Sequence, residues 1–505
     1  MSFFTGIKPS LQGKMLMREV HSEAEQIHRK IARNISVMGL SVAITMLISL
    51  ILRMMLPRAF GPEKMGIFYF AESYSNLFFT FLPLGLATYI NRTIPSRPQH
   101  TQEILSTILV LQLAMALLLS VLMWGTLVWT DRDSYTIQVT MIMGAWAAMF
   151  IFQKSVFHNV FIALDDVLLI SRLNVAIKVI LVAGCVTILQ LHPAITWIAG
   201  MYLISEICGV IYLLWRARQR GFFEQGPNVD QLKNILKVSM PFYLASVLNG
   251  VYAEIDTTML AHFANHKEVG YFGSAYKLIG VFLVLIPILQ NSITPSLSRS
   301  YAAQDGTFPL LTQQLLRFLL IVSFPLSMGL ILFGDYIALV LYGEAFRPSF
   351  KVVCFLTPVL TMMYLNTFMG ACLNLASSGH RMASIFIGGI ILNILLDAFL
   401  IPFGLNSGPG GAALAVSFAT FLCEVYTFLA MAAIFPGKVF QPRLIYGCIV
   451  IFLPCWLGMF FYDQFIQMSF WQRLPIALMV PVYAFVLRVV TWEECKAFIR
   501  LFRTK

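Results

Sequence analysis

A chain of 505 residues with 58% hydrophobic and 12% charged side chains carries about half the charge of a soluble domain, so it reads as a polytopic membrane protein rather than a string of soluble domains. Its net charge of +11 is the Lys and Arg excess that cytoplasmic loops of membrane proteins collect, and no basic run is interleaved with polar stacking surface, which speaks against nucleic-acid binding. The eight cysteines lie almost all inside apolar runs and form no CxxC pair, so they read as small buried apolar groups.

The first 31 residues are polar and mixed in charge, with Lys8, Lys14, Arg18, Glu23, Glu25, Arg29 and Lys30, and show no cleavable signal. They read as a cytoplasmic tail with room for a short amphipathic helix. A helix of about 20 apolar residues spans a bilayer. That length predicts an all-α chain of fourteen spans near 32–55, 66–91, 104–129, 137–162, 168–190, 194–215, 235–260, 269–294, 310–333, 350–376, 382–403, 410–434, 443–461 and 471–490. Short connections make consecutive helices antiparallel neighbours. The longest connection follows span six and holds Arg216, Arg218, Arg220, Lys233 and Lys237, which marks a joint between two halves. The expected divisions are a tail at 1–31, a six-helix lobe at 32–216, a cytoplasmic linker at 217–234, a second six-helix lobe at 235–434, two further helices within 435–490 and a cytoplasmic tail at 491–505. Fourteen spans put both termini on one face. That face collects 25 Lys and Arg against 8 on the other, with Lys178 and Lys277 left inside spans, so both termini are expected in the cytoplasm.

The two halves repeat. LPRAFGPEKMGIFYFAESYSN, from Leu56, is answered by LAHFANHKEVGYFGSAYKLIG, from Leu260, at an offset of 204. Gly66 then meets Gly270, Phe68 meets Phe272 and Pro83 meets Pro287. Arg172 and Arg381 each open a later span on the cytoplasmic side. Six spans per copy give both copies the same orientation, hence a pseudo-two-fold axis along the membrane normal with a substrate path between the lobes. Pro83 and Pro287 interrupt the backbone ladder of long apolar spans. Each is either a static kink or a hinge whose bend changes between two states.

Four stretches carry a resemblance to a known group. They are Gly66-Ile-Phe-Tyr-Phe through Gly85-Leu-Ala-Thr-Tyr-Ile-Asn-Arg92; Asp256-Thr-Thr-Met-Leu through Val269-Gly-Tyr-Phe and Pro-Ser-Leu-Ser-Arg299; Leu332-Phe-Gly-Asp through Leu341-Tyr-Gly-Glu-Ala-Phe346; and Leu373-Asn-Leu-Ala-Ser-Ser-Gly-His-Arg381 through Gly410-Gly-Ala-Ala-Leu-Ala415. In this order, with the six-plus-six-plus-two plan, the chain resembles the polysaccharide-transport (O-antigen, lipid-linked oligosaccharide) flippases of the multidrug/oligosaccharidyl-lipid/polysaccharide exporter superfamily. The resemblance implies a multi-pass protein of the bacterial inner membrane and no enzymatic activity. Its two lobes would open alternately to pass a polyprenyl-pyrophosphate-linked glycan, with membrane lipids and the polysaccharide polymerase and chain-length machinery as partners.

Such a substrate has an apolar tail that can stay in lipid, an anionic phosphate junction and a polar glycan. Its head needs a wet path with cations, and charges inside spans are expensive unless they serve such a path. Lys178, the deepest cation, either snorkels, pairs with a carboxylate such as Glu206, or lines the cavity. Lys277 either lines the cavity or forms a local ion pair. Arg92 and Arg299 sit near the cytoplasmic mouth of each lobe, and Arg53 and Arg317 lie nearer span ends. Glu72, Glu254, Asp256, Asp397 and Glu424 are candidates for coupling to H+ or Na+ or for gating. Asp256 lies close to the outer interface as a coupling group, gate or cap, and Asp397 is favoured for coupling by its depth. Asn91, Asn291, Asn374 and Asn393 either tie helices together or meet sugar hydroxyls. Gly408–Gly411 lacks the lysine of a phosphate-binding loop, and the eight histidines form no metal-ligand cluster, so no cofactor or metal is expected. Competing readings are a lipid II flippase, a cation-coupled drug or metabolite exporter, and a membrane polymerase or ligase acting on the same carrier.

Overall fold

In lipid a backbone finds hydrogen-bond partners only within itself, so long apolar runs become helices. The computed structural model describes residues 11–96, 101–223, 226, 229–283, 285–304, 306–376, 379–435 and 467–486, and among them there is no strand. Helix α1 covers Leu11–Phe79, α2 Leu86–Ser96, α3 Thr101–Trp129 and α4 Ser134–Phe152. A π turn at Gln153–His158 leads into α5, Asn159–Ala163. Then come α6 (Val167–Leu191), α7 (Ile195–Gln219), α8 (Val229–Phe263), α9 (His266–Phe282), α10 (Leu285–Ala303) and α11 (Thr307–Tyr342). A 3-10 turn, Glu344–Phe346, precedes α12 (Arg347–Ala376), α13 (Gly379–Leu405) and α14 (Gly411–Ile434). The last described helix is α15, Phe470–Val486.

Every expected span within the described residues falls on helix. The span at 443–461 lies outside them, as do residues 1–10 and 487–505. The polar stretch expected as a separate tail continues the first helix from Leu11 onward. Among the described residues nine helices are long and apolar enough to cross a membrane, so the chain is a multi-pass membrane protein. On α3, Val110, Leu113, Leu117, Val121, Trp124 and Trp129 are exposed, the face a spanning helix turns to acyl chains. Helices α8, α9 and α10 fall outside the nine, and α8 and α9 carry Glu254, Asp256 and Lys277.

Two spans are broken. The second arm of α1 and α2 are parted at residues 80–85, around Pro83; α9 ends at Phe282 and α10 begins at Leu285, just before Pro287. Helix α1 itself breaks at Gly61 (φ 69°, ψ 175°), a left-handed backbone that glycine adopts without strain, flanked by Pro57 and Pro62. The matching joint in the second half is capped by Asn265, whose side-chain oxygen accepts the Glu268 amide at 3.1 Å. Glu268 in turn is buried, with its carboxylate taking the Gly410 amide at 2.7 Å and the Ala413 amide at 3.0 Å at the start of α14. A helix N-terminus offers unpaired N–H groups and partial positive charge, which is why this carboxylate is stable without a cation.

The halves meet where these joints touch. A Cβ on Gly66 would stand 1.7 Å from the His266 carbonyl oxygen, and one on Gly270 would stand 1.9 Å from that of Pro62. Pro62 and His266 are themselves related by the offset of 204, so the contact repeats under exchange of the two halves, as a pseudo-two-fold axis requires. Three residues on, the Tyr69 ring covers Gly273, its own counterpart. The atoms obstructing Gly66 and Gly270 are backbone and cannot swing away. Gly270→Ala should therefore cost the closed arrangement about 1–3 kcal/mol, the range for overpacking a tight contact. It should lower the melting temperature and lengthen the distance between spin labels at positions 64 and 267; Gly125→Ala, with open space around it, should do neither.

Beside this contact, outside the spans, the His266 imidazole is held below its ordinary value by burial and by the Arg132 guanidinium. A base whose folded value is depressed takes up protons more readily unfolded, so stability falls as pH drops below about 6.5. Thermal unfolding between pH 7.5 and 5.5 should show this loss in the native chain and a smaller one in His266→Asn.

Candidate functional site

Along the seam the second arm of α1 lies against α8 and α9. Lys277 Nζ on α9 donates to Glu72 Oε1 on α1 at 2.6 Å. Arg53 Nη1, on the first arm of α1, donates to the Lys277 carbonyl at 2.9 Å. Ser73 Oγ and Asn76 Nδ2 donate to the two oxygens of Glu254 on α8, at 2.6 and 3.2 Å. These bonds all cross from one half to the other. They border a cavity of about 130 Å³ whose walls include Tyr69, Ser73, Glu254, Thr257, Tyr276 and Lys277. That volume takes a few waters. Four of the charged residues expected to matter, Arg53, Glu72, Glu254 and Lys277, thus stand together. Lys178 on α6 lies behind them, with Glu206 as its main charged neighbour and Glu72, Arg53 and Lys277 next.

The other carboxylates form a cluster inside the second half, next to the seam cavity that Asp256 also lines. Asp256 Oδ1 accepts from Asn393 Nδ2 at 2.5 Å and Oδ2 from Thr420 Oγ1 at 2.9 Å. Asp256, expected near the outer interface as a coupling group, gate or cap, is buried, bonded to α13 and α14, and also among the walls of the seam cavity. Asn393 is occupied by this bond and is not presented to a sugar. Asp397, one turn beyond Asn393, is fully buried, and neither of its oxygens has a hydrogen-bond partner. Glu424, one turn beyond Thr420, accepts from Asn366 Nδ2 at 2.6 Å. No Lys or Arg among the described residues pairs with any of the three.

The remaining expected residues stand apart. Arg299 is exposed on α10, with its Nη2 3.4 Å from Ser296 Oγ. Arg317 is half-buried on α11 and does not line the seam cavity. Arg92 and Pro287 lie on α2 and α10, and their side chains are outside the described residues. Pro83 sits within the 80–85 interruption.

Sequence reasoning misses two groups. Lys154 lies inside the expected span 137–162 but is counted with its nearer face instead of its interior. Its Nζ donates to Asn174 Oδ1 at 3.0 Å and lies 3.3 Å from His158 Nδ1, within the π turn. A π turn widens the helix by one residue per turn and so turns Gln153 and Lys154 inward. Close by, Glu206 Oε2 and Gln153 Nε2 are buried without partners. A lysine well inside an apolar span is the available signal. The second group is Arg473 on α15, 2% exposed, which donates to Asp335 Oδ1 at 2.6 Å and to the Leu332 carbonyl at 2.8 Å and docks α15 on α11.

A family profile described as "Polysaccharide biosynthesis protein" matches residues 31–301, more than half of the chain. The chain belongs to that family. Its fold is shared by solved membrane transporters. The lipid II flippase MurJ in an inward closed conformation superposes with a TM-score of 0.67 at 14% identity, covering 88% of this chain and 97% of that one. An inward-facing multidrug-resistance MATE transporter of the MOP superfamily superposes at 0.56 and 14% identity, over 76% of this chain and 97% of its own. The Vibrio cholerae MATE transporter VcmN, as a point mutant, gives 0.52 and 16%, over 82% and 98%. None of the curated proteins compared matches the chain.

This member of the polysaccharide biosynthesis family closes its seam with a partly exposed ion pair. Such pairs contribute about 0–1 kcal/mol, screened by water. Glu72→Lys or Lys277→Glu alone sets like charges face to face and should lower the melting temperature by a few degrees. The double exchange should recover most of that loss, and high salt should shrink all three differences.

Proposed function

We propose that this protein moves a polyprenyl-pyrophosphate-linked oligosaccharide, a repeat unit of a surface polysaccharide such as O-antigen, across the bacterial inner membrane by alternating opening of its two halves. The observation that carries this reading is the seam. In a chain of the polysaccharide biosynthesis family, Arg53, Lys277 and, behind them, Lys178 converge where the halves meet around a small polar cavity. When the halves part, Lys277 loses Glu72 and Arg53 loses the Lys277 carbonyl. Both then present unpaired cations to the path between the lobes, where the phosphates would pass while the tail stays in lipid. Charge-assisted contacts of this kind are worth about 1.5–3 kcal/mol each. Both termini are taken as cytoplasmic, from the excess of basic residues on that face.

Coupling is assigned to the second-half cluster. Asp397 is buried without a donor, Asn393 Oδ1 is likewise unpartnered, and Asp256 and Thr420 add further oxygens. Among the described residues no three acidic, histidine or cysteine side chains converge as a transition-metal set would. A set of carboxylate, amide and hydroxyl oxygens suits a proton or an alkali cation such as Na+. Asp256 and Asp397 would hold it, and its loss would leave two carboxylates to repel each other across α8 and α13. The polymerase and chain-length machinery are the expected partners that consume the delivered repeat units.

Deleting the gene should remove surface glycan and accumulate polyprenyl-linked repeat units on the cytoplasmic face, measured by lipid extraction. Restoring the chain should reverse this. Lys277→Met should restore transport about tenfold less well, the loss of one charge-assisted contact, and Asp397→Asn should remove the dependence of transport on the cation or proton gradient. Unchanged surface glycan in a deletion strain without a second flippase would sink the reading. Rescue of a conditional lipid II flippase mutant would reassign the substrate.

A further inference from the structure

A second cavity lies away from the seam. It is a groove of about 460 Å³ between α6 and α7 in the first half. These helices pack on α1, α4 and each other. Along α7, Trp197, Ile204, Ile211 and Trp215 are exposed, so this side of the protein faces acyl chains. The body of the groove is apolar, with Leu169, Ile177, Ile180 and Tyr212 among its walls. Its end is cationic, formed by Arg172 at the start of α6 and Arg216 at the end of α7.

The two guanidiniums are not neutralised there. Asp166, the acid at that end, is held by Arg220. Arg216 Nη1 donates to Gln219 Oε1 at 2.9 Å, while its Nε–H is buried with no acceptor. Arg172 makes no ion pair among the described residues. A buried donor without an acceptor is costly, and a guanidinium offers a planar fork that matches phosphate oxygens. The same end of α7 runs into Arg218 and Arg220, the basic face where anionic lipid headgroups would lie.

We propose that this groove binds an anionic phospholipid, with its phosphate between Arg172 and Arg216 and an acyl chain along the apolar wall. The continuity of a basic end with an acyl-length apolar slot selects a lipid over a free phosphate ion. The inference does not depend on which glycan is transported, since the groove lies on the lipid face and not between the halves.

Native mass spectrometry of the full chain in detergent tests it, with phosphatidylglycerol and phosphatidylcholine of matched acyl chains as probes. Phosphatidylglycerol should be retained about tenfold better than phosphatidylcholine. Arg172→Gln and Arg216→Gln, singly and together, should reduce that retention about tenfold or more, the loss of a hydrogen bond to a charged group. Arg347→Gln, exposed at the start of α12 and outside the groove, should leave it unchanged. Equal retention of the two lipids, or undiminished phosphatidylglycerol binding in both single variants, overturns the proposal. So does displacement of bound phosphatidylglycerol by inorganic phosphate, which would make the site a simple anion site. Displacement by polyprenyl pyrophosphate at equal concentration would assign the groove to substrate instead and overturn it as well.

Discussion

Two stretches of backbone touch where Gly66 meets the His266 carbonyl and Gly270 meets that of Pro62. No side chain fits in that space. The two halves can approach along the whole second arm of α1 only because both positions lack a Cβ. The ion pair, the cross-seam hydrogen bonds and the small cavity all lie within a few turns of this point and depend on it. A chain that held the halves one methyl group apart would stretch Lys277–Glu72 and Ser73–Glu254 beyond contact. The joint helices are placed for this approach by left-handed backbone at Gly61 in one half and by the Asn265 cap in the other.

Polar groups in the two halves answer different needs. Those on the seam pair across it, partly exposed, where each bond is cheap to exchange for water or for an anion. Those in the second-half cluster are buried, where an unpaired carboxylate is costly. Glu268 shows the structural solution, a helix N-terminus for a partner. Asp397 has no such partner among the described residues. That missing partner is the observation on which the coupling role proposed for Asp397 rests.

Length and period made the spans legible, and the repeat made the halves legible, because in a bilayer the polar backbone of a long apolar run satisfies itself as a helix. The offset of 204 pairs Gly66 with Gly270 and Pro83 with Pro287 in the sequence itself. It could not show that Gly66 faces Pro62's counterpart rather than lipid, since that is a matter of how the lobes dock. Arg53, Glu72, Glu254 and Lys277 were recognisable as expensive charges, but their pairing joins residues some two hundred positions apart. The partners of Asp256 were not legible, because depth along a span says nothing about which neighbours approach from α13 and α14. Lys154 escaped because a lysine counted with the nearer membrane face is not weighed as an interior charge, and the π turn that directs it inward has no sequence signature of its own.

The repeat also explains why the charges break symmetry. Under the offset, Glu72 answers Tyr276, Lys277 answers Ser73, Glu254 answers Leu50 and Asp256 answers Leu52. A faithfully duplicated seam would set each charge on the axis against its own copy, acid facing acid. Like charges at that spacing repel and would hold the halves apart. Divergence of the two copies lets Glu72 in one meet Lys277 in the other, one residue off the symmetric position, and lets Glu254 meet neutral Ser73 and Asn76. The glycines and prolines of the scaffold stay matched because the close approach is symmetric. The chemistry of the seam is asymmetric because only unlike groups can close it and still part.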